Sequence, residues 1–202
     1  MTPPPWYREA KHKAPRLCEN QTYPYNFRMG EFCPGSLDRF LKRHAASGST
    51  LWEPFAGHTS LNQTIDICAG FGVRLVAHDI SPIDERVVQA DSTRVGPGLP
   101  INGVIFHPPY YGAGCVFSDQ EGELSSEEDL DSYLAAINRC IDRVDEVMEE
   151  GYIYLVARTY PVKGKSFSLD WVLTNEFLSR GYEFEEALCD TPDWIVYLSK
   201  SA

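Results

Sequence analysis

A chain of 202 residues, 43% apolar and 23% charged, is long enough to bury the core of one ordinary domain and short for two. Its six cysteines, Cys18, Cys33, Cys68, Cys115, Cys140 and Cys189, lie far apart with no C-x-x-C pair. That spacing speaks against a zinc knuckle or a dense disulfide framework and for a reducing, cytoplasmic setting. No apolar run approaches the ~18–20 residues that cross a bilayer, and "MTPPPWYREAKHKAPR" lacks the apolar centre of a signal peptide, so neither secretion nor membrane insertion is expected. The net charge of −11 argues at first against nucleic acid, whose phosphates are met by Lys and Arg. Residues 1–50, however, carry +4 and residues 51–202 carry −15, the pattern of a basic arm on an acidic body.

Residues 1–30 are rich in Pro, Tyr, Lys and Arg without sustained periodicity and read as an irregular arm, leaving residues 31–202 as one domain. "SLDRFLKRHA" sets Leu37, Phe40 and Leu41 at helical spacing with Ser36 as N-cap. "STLWE" is a short strand ending at Glu53, followed by the turn "PFAG" and a helix through "SLNQTIDICAG" that stops at Gly70 or Gly72. "VRLVAHD" is a second strand ending at Asp79, "ERVVQAD" a third ending at Asp91, and "INGVIF" a fourth leading into "HPPYYGAG". The acidic stretch from Ser125 to Gly151 carries Leu130, Tyr133, Leu134, Ile137, Ile141, Val144 and Met148 at intervals of three or four, a helix capped by Ser125 or Ser126. "YIYLVART" is a fifth strand, "SLDWVLTNEFLSRG" a further helix, and "YEFEEALCD" with "DWIVYLSK" a closing hairpin.

Alternating strands and helices ending in a strand pair predict a three-layer α/β fold: a mostly parallel seven-stranded sheet with an antiparallel edge hairpin at the C-terminus. In such sheets ligands bind beyond the carboxyl ends of the strands, which selects Glu53 with "PFAGHTS", Asp79, Asp91 and His107 with "PPYY". Each is weak alone, because an acid after a strand commonly caps the next turn and "HPPYY" alone reads as a rigid strand exit with two rings to pack. Their succession on consecutive strands is what carries the functional reading.

That succession resembles the S-adenosylmethionine-dependent amino-methyltransferases that modify adenine N6 or cytosine N4, chiefly in DNA. "EPFAGHTS" at residues 53–60 is similar to the family's Asp-Pro-Phe-x-Gly-x-Gly-Thr motif, and His107–Tyr110 to its Pro-Pro-Tyr motif. "EFCPGSLDRFLKRH" resembles the Phe-and-Pro segment that some members place before the first motif, and the likeness extends over roughly residues 23–200. It implies a Rossmann-like class I methyltransferase fold without a separate target-recognition domain. It also implies a cofactor site in which Glu53, Phe55, Gly57 and Thr59 face the methionine end, closed by Phe32 and Pro34. Asp79 would take the ribose hydroxyls and Asp91 the adenine amine, with no metal required. His107 and the Pro108 carbonyl would accept the two N–H groups of a base amine, Pro109 would stiffen the turn, and Tyr110 would stack on the base.

Two positions depart from the motifs: Thr59 stands where a second glycine is usual, and His107 where Asp, Asn or Ser is usual. Neutral imidazole keeps one acceptor nitrogen and imidazolium none, so activity is expected to fall as pH drops through the His107 pKa, with a change between about pH 5.5 and 8. DNA is the expected partner. RNA is the alternative within the same chemistry, and a non-catalytic methyltransferase-fold subunit is the alternative outside it. Target choice would fall to the arm, to the loop after Tyr110, or to a protein partner or second copy.

Overall fold

The computed structural model describes residues 2–14, 34–57, 61–112, 118–190 and 193–201. Phe32, His58 and Thr59 lie outside them, as do residues 113–117. Among the described residues, nine strands and five α-helices follow one another. Seven strands form one sheet in the order β3-β2-β1-β4-β5-β9-β8. These are β1 (Thr50–Glu53), β2 (Arg74–Asp79), β3 (Val88–Gln89), β4 (Gly103–Phe106), β5 (Gly151–Ala157), β8 (Glu183–Asp190) and β9 (Asp193–Lys200). β3, β2, β1, β4 and β5 run parallel, whereas β9 pairs antiparallel with β5 and with β8. The chain leaves β1 for β2 on one side and later returns to lay β4 on the other. The crevice of the sheet therefore opens between the carboxyl ends of β1 and β4.

The two faces follow from the two-residue period of the strands. On one, Leu51, Ile105, Tyr154, Val156, Ile195 and Tyr197 pack with α2 (Pro34–His44) and α3 (Leu61–Gly70) through Leu37, Phe40, Leu41 and Cys68. On the other, Trp52, Val104, Phe106, Ile153, Leu155 and Val196 pack with α4 (Leu130–Val147) and α5 (Leu169–Ser179). This is the three-layer arrangement expected from the alternating pattern.

Four local expectations are corrected. The N-terminal segment is not irregular throughout: Pro5–Lys13 is a helix, α1, with proline in its first turn. Its Tyr7 is fully buried, with ring contacts to Trp171 and Phe184 that fasten it over the sheet edge. Ser36 does not cap α2, which begins at Pro34; it is buried within the first turn, with its hydroxyl bonded to Tyr154 and its carbonyl accepting from Tyr197. Asp129, not Ser125 or Ser126, caps α4, because its carboxylate accepts from the Ser132 amide at 2.8 Å, while the two serines form a 3-10 turn capped by Glu123. Finally, Thr159–Val162 (β6) and Lys165–Ser168 (β7) form a separate two-stranded hairpin. Its tip, Lys163-Gly164, has positive φ at both residues, the twist that lets a two-residue loop join two strands.

Candidate active site

Glu53 is the last residue of β1 and 1% exposed, with its Oε2 atom buried and unpartnered among the described residues. Burial, and then the neighbouring Asp79 charge, hold its carboxyl well above the ordinary carboxylate range. A cationic ligand group placed there would supply the missing partner and draw the proton off. Beyond Glu53 the chain turns through Phe55 to Gly57, whose φ of +63° favours glycine and whose Cβ position meets no heavy atom within 4 Å among the described residues. The Gly57 amide donates to Asp79 Oδ2 at 2.9 Å, and the Ser81 amide donates to Asp79 Oδ1 at 2.8 Å. Asp79 thus ties the β1 turn to the end of β2. Each of its oxygens still has a lone pair for a second donor.

Asp91 is more heavily engaged. Its Oδ1 accepts from the amide and hydroxyl of Thr93 at 2.9 and 2.7 Å, and its Oδ2 pairs with Arg94 Nε at 3.0 Å. Gly122 lies against it, so the loop that follows the Pro-Pro-Tyr segment covers the ends of β2 and β3. The capping function of Asp91 is therefore present in the structure, and any ligand amine would compete with the exposed Arg94 for Oδ2.

Across the crevice, β4 ends at Phe106, whose ring meets Phe55 edge-on at 5.5 Å, bringing the β1 turn beside the exit of β4. His107 follows. Burial first, and then the Arg158 charge, push its pKa down to about 4, so the ring is neutral at neutral pH. Pro108 and Pro109 carry the chain on, and the Pro109 carbonyl accepts from Tyr133 of α4 at 2.9 Å, anchoring the turn.

Tyr110, the ring expected to stack on a base, already has neighbours of its own. It is 7% exposed and stacks on Tyr160 of β6 at 5.3 Å and 21°, while the Arg158 guanidinium stands 4.8 Å from its ring centre. Its hydroxyl donates to Asp193 Oδ1 at 2.8 Å and lies 3.4 Å from His107 Nε2. Arg158 Nε is 3.2 Å from the same Asp193 oxygen. The ring is drawn inward because β9 runs antiparallel to β5, pairing Trp194 with Ala157 and so setting Asp193 beside Arg158.

Arg158, Tyr160 and Asp193 were not singled out from the sequence. Arg158 directly follows the apolar run of β5, as His107 directly follows β4, so the carboxyl-end rule would have found it. Asp193 had no such signal, since it begins a strand and read only as part of a hairpin turn. Pro34 is the first residue of α2. Among the described residues, no group of three His, Cys, Asp or Glu side chains is placed to hold a metal ion, and no helix is long and apolar enough to cross a membrane.

No protein-family model and no curated protein sequence matches the chain. Solved structures do match its shape. A candidate rRNA methylase from Clostridium thermocellum superposes with a TM-score of 0.52 at 14% identity, over 85% of this chain and 98% of its own. The glycopeptide N-methyltransferase MtfA, solved with sinefungin, gives 0.54 at 12% identity, over 89% and 98%. SMU.1697c, a candidate methyltransferase from Streptococcus mutans solved with S-adenosylhomocysteine, gives 0.51 at 16%, over 84% and 98%. The fold is that of the class I methyltransferases. Two features of this chain fit the group such folds hold: the orphaned buried oxygen of Glu53 for a cationic amino-acid end, and the open approach at Gly57 for a close backbone contact.

Proposed function

We propose that this chain transfers a methyl group from S-adenosylmethionine to the exocyclic amine of a nucleic-acid base, adenine N6 or cytosine N4, with DNA as the polymer. The observation that carries the reading is the His107-Pro108-Pro109-Tyr110 turn at the carboxyl end of β4, across the switch point from Glu53. The bound sulfonium would supply a methyl group already activated for transfer. Glu53, Phe55 and Gly57 would hold the methionine end, with Phe32, Pro34 and Thr59 of the matching motifs completing it. Asp79 would receive the ribose hydroxyls and Asp91 the adenine amine.

The residues of the β4 exit would act on the acceptor. An exocyclic amine is a poor nucleophile because its lone pair is delocalised into the ring. Accepting its two N–H bonds at His107 and at the Pro108 carbonyl draws the nitrogen toward tetrahedral geometry and aims its lone pair at the methyl. Pro109 fixes the turn, and the low His107 pKa keeps an acceptor nitrogen at neutral pH. Tyr110 and Tyr160 form an aromatic wall for a planar base extruded from its stack. RNA is the second reading, because this amine chemistry is indifferent to the sugar and one fold neighbour is a candidate rRNA methylase.

Calorimetry with S-adenosylmethionine, followed by radiolabelled methyl transfer to duplex DNA, single-stranded DNA and RNA with nucleoside mass spectrometry, tests the proposal. Expected are binding of the methyl donor and a labelled N6-methyladenine or N4-methylcytosine in DNA. No donor binding would identify a non-catalytic subunit.

A further inference from the structure

The protein carries a net charge of −11, so a phosphate backbone approaching the acceptor turn meets overall repulsion and has to find cations at the rim. Among the described residues, the Lys and Arg side chains in no ion pair are Arg8, Arg74, Arg139, Lys163 and Lys165. Arg8 lies on α1 against β8, Arg74 opens β2 at the amino end of the sheet, and Arg139 sits midway along α4. Lys163 and Lys165, both exposed, belong to the tip of the β6–β7 hairpin.

That hairpin is built onto the acceptor turn. Tyr160 stacks on Tyr110, its hydroxyl donates to the Tyr111 carbonyl at 2.9 Å, and Val162 lies against Gly112, 3.3 Å from where a Cβ would stand. At the base, Thr159 donates to the buried Asp170 at 2.8 Å. Lys163 follows Val162 and Lys165 pairs with it across the hairpin, so both lysines adjoin the residue that touches Gly112. Lys163 is also the one non-glycine among the described residues with positive φ, +49°, at a turn position that favours Asn, Asp or Gly. A cation therefore stands at the tip at a backbone cost. The Asp129 carboxyl at the α4 cap is held down first by its Ser132 hydrogen bonds and last by the Lys163 charge, and it forms no ion pair with that lysine.

We propose that Lys163 and Lys165 form a phosphate-binding tip, which seats the sugar-phosphate backbone beside the target base and so brings that base to Tyr110. Lysine ammonium groups meet phosphates as point charges on flexible stems and read no sequence. The tip fixes the register of the strand, and the stacked Tyr110 and Tyr160 receive the base. The proposal deepens the base-methylation reading and rests on it for the role of the polymer.

Fluorescence anisotropy of the full chain with short labelled duplex DNA, single-stranded DNA and RNA, titrated at several salt concentrations, tests it. Lys163→Asn with Lys165→Gln, which keeps a residue suited to the turn, should weaken binding of the preferred polymer by about 10-fold at low salt. The slope of log affinity against log salt should flatten by about 1.5 to 2. Lys163→Arg with Lys165→Arg should keep both affinity and slope. Arg74→Gln with Arg139→Gln removes the same charge away from the site and should change neither. Melting temperatures and S-adenosylmethionine calorimetry report the fold and the cofactor site of each variant. If Lys163→Asn disturbs the hairpin, Lys165→Gln alone is read, with about half the change in slope. Unchanged affinity and slope without the lysines, an equal loss in the Arg74→Gln, Arg139→Gln variant, or a wild type that binds none of the polymers overturns the proposal. Methyl transfer separates it from the reading beneath it. A wild type that binds through the hairpin yet methylates nothing refutes base methylation and leaves the phosphate tip standing, whereas methylation and binding indifferent to the lysines do the reverse.

Discussion

At the residue scale, two buried ionisable groups set the testable behaviour. Burial and the Arg158 charge lower the His107 pKa from 6.5 to about 4. Between those values the unfolded chain binds the proton and the folded chain does not, so stability falls as pH drops through this window. Urea midpoints should decline from pH 6.5 toward pH 4 more steeply in the wild type than in His107→Asn. The same depression moves the expected activity break: rates should show no His107 transition from pH 5.5 to 8 and fall only toward pH 4. This corrects the expectation from an unperturbed histidine. His107→Ala should lose about 10²-fold in kcat, and His107→Asn, which keeps an acceptor, should retain most of it. Glu53 works in the opposite sense. Its raised pKa means that a cationic ligand releases a proton on binding, which calorimetry in buffers of different ionisation enthalpy will detect. Glu53→Gln should leave the free protein as stable as the wild type and weaken S-adenosylmethionine binding by about 10- to 100-fold, the loss of one charge-assisted hydrogen bond.

At the element scale, α1 and the β6–β7 hairpin converge on one buried carboxylate. Asp170, fully buried in the first turn of α5, accepts from Lys11 at 2.6 Å and Tyr7 at 3.2 Å on one oxygen, and from Thr159 at 2.8 Å on the other. Lys11 also lies over the ring of Trp194, next to Asp193. The N-terminal helix therefore supports the wall that carries Arg158 and Tyr160. Lys11→Met should destabilise the protein by about 3 kcal/mol, because it strips the charge partner from a buried carboxylate. Adding Asp170→Asn should restore part of that loss, and a double-mutant cycle in urea measures the coupling. This packing also explains why the arm was missed. "PWYREAKHK" has a single core residue, Tyr7, so no apolar period announces the helix, and its partners Trp171, Asp170 and Phe184 lie more than 160 residues away. The strong helix α4 was plain for the opposite reason, with Tyr133, Ile137, Ile141 and Val144 repeating down one face.

At the scale of the whole molecule, the strand order makes a site from residues that are unremarkable alone. Much of the positive charge is already committed: Arg39 and Arg43 pair with Glu186, Lys42 with Asp38, Arg86 with Asp84, and Arg180 and Lys200 with Asp145. That leaves fewer cations for phosphates than the 18 Lys and Arg of the sequence could supply. The logarithm of the DNA affinity should therefore fall with the logarithm of salt at a slope no steeper than about −3, read from fluorescence titrations between low and moderate salt.

The alternation of strand and helix patterns, the carboxyl-end rule and the proline pair were all legible along the chain, because each rests on local periodicity or on a restricted dihedral. They sufficed for the layered sheet and for Glu53, Asp79, Asp91 and the His107–Tyr110 turn as places of interest. Whether an acid at a strand end caps a turn, as Asp91 does, or keeps an unpartnered oxygen, as Glu53 does, depends on neighbours brought in by other strands. The same holds for Tyr110. Its sequence neighbours mark it only as a ring at a rigid strand exit, and the antiparallel return of β9 is what brings Asp193, 83 residues further on, to its hydroxyl.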